Sequence, residues 1–369
     1  VRGLTYSTNL TLLWMNTDVA PLTLDVRQGF GRDGKFYLQN KATKTIEVWN
    51  ETGRIQEIPS GAGTNITFDD AGNILVRIGT FPDPFNKDIN ELRIIPADGS
   101  AAIDIALSGI TGGRLDFWGH VQGNVLDKET GGIIYMGTTY YPQLVEIPII
   151  DGKQDVANTY TYTYASPFGI AGNFATTTII SAWEGKENVS ILSPLFNKTN
   201  CNSIQKLSLD EDGNWSHDSY YITPRHSGCA GFYIFKLGGQ DYIVYPSGSN
   251  NADGFTVSKL ATKAISDVEE SDESVRIATK YSEQKDDGNP MYIGNAFYGN
   301  HLSAEAISET QAHIYQYFPS GYIAKYLFTV EGGTGVAKVE APKATIIGGK
   351  GEITIEGEPT FIEVYTIGG

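Results

Sequence analysis

Acid–base or metal chemistry in this 369-residue chain would start from five histidines, His120, His217, His226, His301 and His313, and from 43 acidic side chains. None of the histidines falls in a His-x-x-x-His pattern and no Cys-x-x-Cys pair is present, so no metal site is expected. Two segments, Asp210-Glu211-Asp212-Gly213-Asn214 and Asn250-Asn251-Ala252-Asp253-Gly254, have the oxygen density of a calcium loop. Calcium needs six to eight oxygens, including a bidentate carboxylate that closes the loop, and neither segment supplies that set. Both read better as turns. No Gly-x-Ser-x-Gly elbow and no phosphate- or dinucleotide-binding glycine loop occurs, so no cofactor is expected.

The more informative group lies where polar and aromatic residues open candidate inner strands: Arg27 with Gln28, then Arg114, Asp116, Trp118 and His120, then Arg225 and His226. Rings supply apolar area and fixed polar groups supply orientation, a combination suited to a carbohydrate or a peptide. Arg27, Arg114, Asp116, Trp118, His120, Arg225 and His226 are therefore the expected ligand-binding residues of a non-catalytic recognition protein. On the same scaffold a hydrolase or lyase would use Asp116, His120 or His226 as acid or base. A structural cell-envelope protein is the third alternative, in which Trp118 and His120 serve packing.

These residues must be positioned by strands. Phe30-Gly31-Arg32-Asp33-Gly34-Lys35-Phe36-Tyr37-Leu38 and Ile66-Thr67-Phe68-Asp69-Asp70-Ala71-Gly72-Asn73-Ile74-Leu75-Val76 read as hairpins, because Asp-Gly and Gly-Asn supply positive φ between alternating runs. Alternating strands that run into acidic-Gly turns recur from Ile46, Leu92, Leu144, Ile204 and Phe255, a spacing of about 45–60 residues that matches the four-strand unit of a propeller. Candidate inner strands near Arg27, Asn65, Leu115, Gly169, Cys229 and Asn295 predict an all-β, six-bladed β-propeller over residues 1–330. The last blade lacks a fourth strand, and Leu10–Trp14 is a strand without a partner; it is expected to close the ring as that blade's outer strand. Residues 331–369 then form a linker and a short C-terminal β appendage.

The formal charge of −16 without a cluster of basic residues argues against nucleic acid, and no apolar run approaches the length of a membrane-spanning helix. The oligomeric state is left open by the sequence.

Arg27-Gln28-Gly29, Gly34 to Gln39, Gly113-Arg114-Leu115-Asp116-Phe117-Trp118-Gly119-His120 and Tyr245-Pro246-Ser247-Gly248-Ser249 resemble secreted β-propeller proteins of Bacteroidetes, whose function is uncharacterised. The resemblance covers roughly residues 1–330. Gly348–Ile355 and Val364–Gly369 look like the opening of the C-terminal β modules that such exported proteins carry, some as sorting signals, cut short here. The resemblance implies export to the cell surface, periplasm or medium, and no particular reaction. In an exported protein Cys201 and Cys229 are expected to pair as a disulfide; two buried thiols are the alternative.

Overall fold

The computed structural model describes residues 9–17, 29–40, 42–61, 63–78, 91–110, 114–139, 143–163, 179–182, 189–194, 202–212, 214–221, 232–246, 253–260, 262–264, 276–281, 301–318, 321–330, 345–349 and 352–356. The chain divides into two units, Val1–Val330 and Glu331–Gly369.

In the first unit the strands are antiparallel and pair in sequence order. After β1 (Leu10–Asn16), a first sheet contains β2 (Gly29–Arg32), β3 (Lys35–Asn40), β4 (Thr45–Asn50) and β5 (Gly53–Pro59). A second holds β6 (Gly63–Phe68), β7 (Ile74–Ile78), β8 (Glu91–Ile95) and β9 (Ile103–Ala106). In the third, β10 (Arg114–Gly123), β11 (Gly132–Thr139) and β12 (Gln143–Ile150) are followed by an outer position shared between β13 (Lys153–Gln154) and β14 (Tyr160–Thr163), on either side of a 3-10 turn at Val156–Asn158. Next come β15 (Ile179–Ala182), β16 (Val189–Pro194), β17 (Asn202–Leu209) and β18 (Trp215–Tyr221). The following sheet is β19 (Tyr233–Leu237), β20 (Gln240–Pro246), β21 (Phe255–Lys259) and β23 (Arg276–Lys280), while β22 (Thr262–Ala264) crosses to the edge of β18. The last sheet is β24 (His301–Ala306), β25 (Gln311–Phe318) and β26 (Tyr322–Thr329), with β1 on its outer edge. First strands neighbour one another in the cycle β2, β6, β10, β15, β19, β24 and back to β2, so they line a central channel.

The expected blade number of six is corrected here. Five blades, closed velcro-fashion by β1, are described down to their side-chain packing. The sheet from β15 to β18 is described by its backbone alone, and its fifth strand belongs in sequence to the blade that follows. An outer strand leaves a row of backbone donors and acceptors unpaired, and β22 covers that row through Ser219↔Ala264, Tyr220↔Lys263 and Tyr221↔Thr262. The expected disulfide is also withdrawn: no disulfide is present among the described residues, and Cys201 and Cys229 lie outside them.

Closure by the N-terminal strand is direct, with Leu10 opposite Phe328 and Asn16 opposite Ile323. The turns follow from residue type. Asp33-Gly34 and Asp151-Gly152 each place two successive residues at positive φ, the geometry that a right-twisted two-residue hairpin requires.

Blade packing rests on the two-residue period of strands that are buried on both faces. On β25, Ala312, Ile314 and Phe318 join a core with Phe235, Val244, Phe255 and Val257 of the preceding blade. The alternate residues Tyr315 and Tyr317 pack with Phe36, Leu38 and Trp49 of the first blade. A third layer, Ile46, Ile66, Phe68, Ile74 and Val76, joins the first and second blades. A fourth, with Leu75, Leu92, Ile94, Val121, Ile134, Met136 and Val145, joins the second and third. Fully burying each such side chain contributes about 1.5–3 kcal/mol.

The second unit contains a hairpin of β27 (Thr345–Gly349) and β28 (Glu352–Glu356), with Thr345 opposite Glu356.

Candidate functional site

The first hairpin carries Arg32 at the end of β2, and that guanidinium reaches the turn of the second blade. It donates to the carbonyl oxygens of Asp69 (2.8 Å) and Asp70 (3.4 Å), contacts the Asp33 carboxylate at 3.5 Å, and lies over the Phe68 ring at 5.3 Å. The turn it holds is built by Asp69, which is 1% exposed. Asp69 Oδ1 accepts from the backbone N–H of Asn73 (2.8 Å), and Oδ2 accepts from Asn73 Nδ2 (2.7 Å) and from the N–H of Val125 (3.1 Å). Asn73 Nδ2 also donates to Asn124 Oδ1 (3.0 Å), so one buried carboxylate ties the second blade to the third.

Its neighbour Asp70 is exposed. The Asp70 N–H donates to the Gly123 carbonyl (3.1 Å), and Asp70 Oδ2 accepts from the Gly123 N–H (2.7 Å). This pins Asp70 against the end of β10, where the register shifts between Trp118 and Val121 and so re-aims His120. Removal from solvent lowers the His120 pKa to about 4, and the nearby Asp70 charge opposes that shift only in part. His120 nevertheless keeps some of its surface accessible. A side chain surrounded by protein on a channel wall has both properties, and at pH 7 it is a neutral imidazole.

Tyr233 enters from β19. Burial raises its hydroxyl pKa to about 12, with Arg32 lowering it and Asp70 and Glu305 raising it, so the hydroxyl lies within the field of all three charged groups. The Tyr233 ring meets Phe30 edge-on at 6.1 Å, although their sheets are separated in the ring by the sheet of β24. The contact therefore spans the channel. Phe30 continues to Phe68 at 5.4 Å and Phe68 to Tyr37 at 4.8 Å.

Glu305, near the end of β24, completes the group. Its Oε1 accepts from the Asp33 N–H (3.1 Å) and its Oε2 from the Tyr315 hydroxyl (2.7 Å), which itself accepts from the Gly34 N–H (2.8 Å). His313, Tyr315 and the backbone of Gly34 and Asp33 hold the Glu305 pKa down at about 2, against the opposing effect of burial. A related contact runs from the Gly31 N–H to Ser303 Oγ at 3.0 Å. The first and last blades are thus joined by polar bonds beside the site as well as by the β1 closure.

The site has an aromatic base of Phe30, Phe68 and Tyr233, and a polar margin of Arg32, Asp33, Asp70 and Glu305 with neutral His120. Of the residues expected from the sequence, His120 is placed in this group. Arg27, Arg225 and His226 lie outside the described residues, and Arg114, Asp116 and Trp118 lie on β10 where only the backbone is described. Asp116 sits at the other register shift of that strand, between Leu115 and Phe117. The residues expected from the sequence sit mostly at or before the starts of inner strands, whereas Arg32 and Glu305 lie at the ends of theirs and Asp70 just beyond. A charged residue within two positions of the end of an inner strand, beside its hairpin turn, is the signal that would have found them.

No family model matches the chain, and no curated protein matches it. Among solved structures it is similar to a DUF4623 family protein from Bacteroides eggerthii, with 11% identity over 87% of this chain and 78% of that one and a TM-score of 0.48. It is also similar to a streptogramin B lyase, with 12% identity over 85% and 97% and a TM-score of 0.42. Likeness at this level says nothing of function.

Among the described residues no group of three or more His, Cys, Asp or Glu side chains is arranged to hold a metal ion, and no helix is long and apolar enough to cross a membrane. Asp253, in one of the calcium-like segments, is fully buried with its carboxylate on Lys280 and Tyr322. In the other segment Asp210 Oδ1 accepts from the N–H groups of Asp212 (3.0 Å) and Asn214 (2.7 Å), as a turn-forming aspartate does.

Proposed function

We propose that this propeller is an exported, non-catalytic recognition protein that binds a carbohydrate or a peptide at the channel mouth formed by Arg32, Asp70, His120, Tyr233 and Glu305. The observation that carries the reading is the convergence of these side chains, from five separate inner strands or their turns, over aromatic rings that span the channel. Rings offer the apolar face of a sugar or side chain a surface, and the margin offers donors and acceptors at fixed positions. Among the described residues, Asp33, Asp70 and Glu305 set three carboxylates against the guanidinium of Arg32 and the Lys325 ammonium near Glu305, which favours a neutral or cationic ligand over an anionic one. The environment of His120 does not favour the hydrolase or lyase alternative: an imidazole with a pKa near 4 is a weak base and is not a proton donor at neutral pH.

The test is binding of immobilised neutral glycans and of peptides to the native protein and to its Arg32→Ala and Tyr233→Phe variants. Loss of one charged hydrogen bond is expected to weaken binding about tenfold or more. Absence of binding across both panels, or undiminished binding by both folded variants, would reject the proposal.

A further inference from the structure

Among the described residues, a cluster of buried polar groups lies away from the channel mouth, between the blade of β19–β21 and β23 and the blade closed by β1. Lys280, the last residue of β23, and Asp253, just before β21, both have side chains with 0% exposure. Lys280 Nζ is in direct contact with Asp253 Oδ2, and it also donates to the Asp253 carbonyl (3.2 Å). The Tyr322 hydroxyl lies 2.8 Å from Nζ and donates to Asp253 Oδ2 at 2.5 Å. Gln316 Nε2 fixes the Asp253 backbone through its carbonyl (2.7 Å), and Gln316 Oε1 accepts from Tyr326 (3.0 Å). Rings close the site: Tyr322 stacks on Phe318 at 5.9 Å, and Phe255 meets Tyr326 edge-on at 5.1 Å.

The condensation starts from the amine–carboxylic acid form of the pair, because only an unprotonated amine is a nucleophile. The fold holds amine and carboxyl in contact and replaces a bimolecular encounter by a fixed one.

We propose that Lys280 and Asp253 condense to an intramolecular isopeptide bond. The Nζ lone pair attacks Asp253 Cγ, giving a tetrahedral centre. The Tyr322 hydroxyl, which touches both Nζ and Oδ2, accepts a proton from the former and passes its own to the latter. The Cγ–Oδ2 bond breaks, one water leaves, and an amide joins the two side chains. No oxidant, reductant or co-reactant is required. The product carries no charge, and it covalently links the last strand of its blade, β23, to the approach to β21.

The test is the intact mass of the native protein, denatured and reduced, followed by peptide mapping with trypsin. The expected mass is lower than that of the sequence by one water, with a branched peptide in which Lys280 is joined to Asp253 and resists cleavage. Lys280→Arg, which keeps the positive charge, is expected to have its full sequence mass. Tyr322→Phe, which removes only the hydroxyl relay, is expected to show a reduced cross-linked fraction. Full sequence mass for the native chain would overturn the proposal and leave a buried ion pair. A loss of water confined to a cyclised Asp-Gly site, with Lys280 cleaved normally, would overturn it equally, as would the same loss from Lys280→Arg.

Discussion

Asp69 is the residue whose removal most directly tests how the channel mouth is held. Asp69→Ala strands the backbone N–H groups of Asn73 and Val125, donors at 2.8 and 3.1 Å, and frees the Asn73 amide at 2.7 Å. The carboxylate is 1% exposed, so water does not readily replace it. Two stranded donors at about 1.5 kcal/mol each and one lost amide bond at about 1 kcal/mol give a cost of about 4 kcal/mol. Asp70→Ala is the control. Asp70 is exposed and accepts one backbone N–H, from Gly123, which water can reach; the expected cost is about 1 kcal/mol. Asp69→Asn keeps one acceptor oxygen for Asn73 but turns an amide toward Val125, and should cost about 2 kcal/mol. Urea unfolding, compared at equal slopes, measures all three. If Asp69→Ala and Asp70→Ala differ by less than about 1 kcal/mol, the buried carboxylate is not what joins these blades.

The remaining predictions concern the first–last blade junction and acid. A methyl built on Gly31 would overlap the Tyr315 ring, which its hydroxyl bonds hold in place, so Gly31→Ala is expected to destabilise by about 2–3 kcal/mol; an unchanged unfolding midpoint would contradict this. Tyr315→Phe keeps the ring but deprives Glu305 and Gly34 of their partner, an expected cost of about 1–2 kcal/mol by the same measurement. Burial lowers His120 to about 4 and His301 to about 3, from 6.5. Between those values the unfolded chain binds protons that the folded chain does not, so stability should fall as pH drops below 6.5 and continue to fall toward 3. Glu305 is lowered to about 2 from 4.5, so its stabilising contribution is complete above 4.5 and is lost as pH falls through 2. A stability profile that is level from pH 6.5 to 3 would refute the burial of these two imidazoles.

Much of the propeller is legible because its rules are local. Asp33-Gly34 marks a hairpin since two adjacent residues must take positive φ, and Leu10–Trp14 declares itself a strand lacking a sequence neighbour. Features that arise only on closure are not legible. Arg32 and Glu305 are hundreds of positions apart, and nothing near either one reports that the ring brings both to Tyr233. Lys280 ends the short strand Arg276–Lys280, whose last three residues are buried because the closing blade packs over them. β22 is three residues of Thr-Lys-Ala with no apolar alternation, so its transfer to the neighbouring sheet leaves no trace in the pattern.

The closure by β1 also determines how the ring responds to force. Leu10 and Phe328 are register partners, and the Thr329 N–H donates to the Asn9 carbonyl at 2.9 Å, so a pull between residues 9 and 330 loads that end of the strand pair first. The bonds from Leu10 to Asn16 then break in succession, as the teeth of a zipper do. A pull between residues 17 and 330 runs along the strands instead and loads every bond of the pair together. The same seam is mechanically weak in one direction and strong in the other, and single-molecule pulling from the two attachment points should open it at clearly different forces.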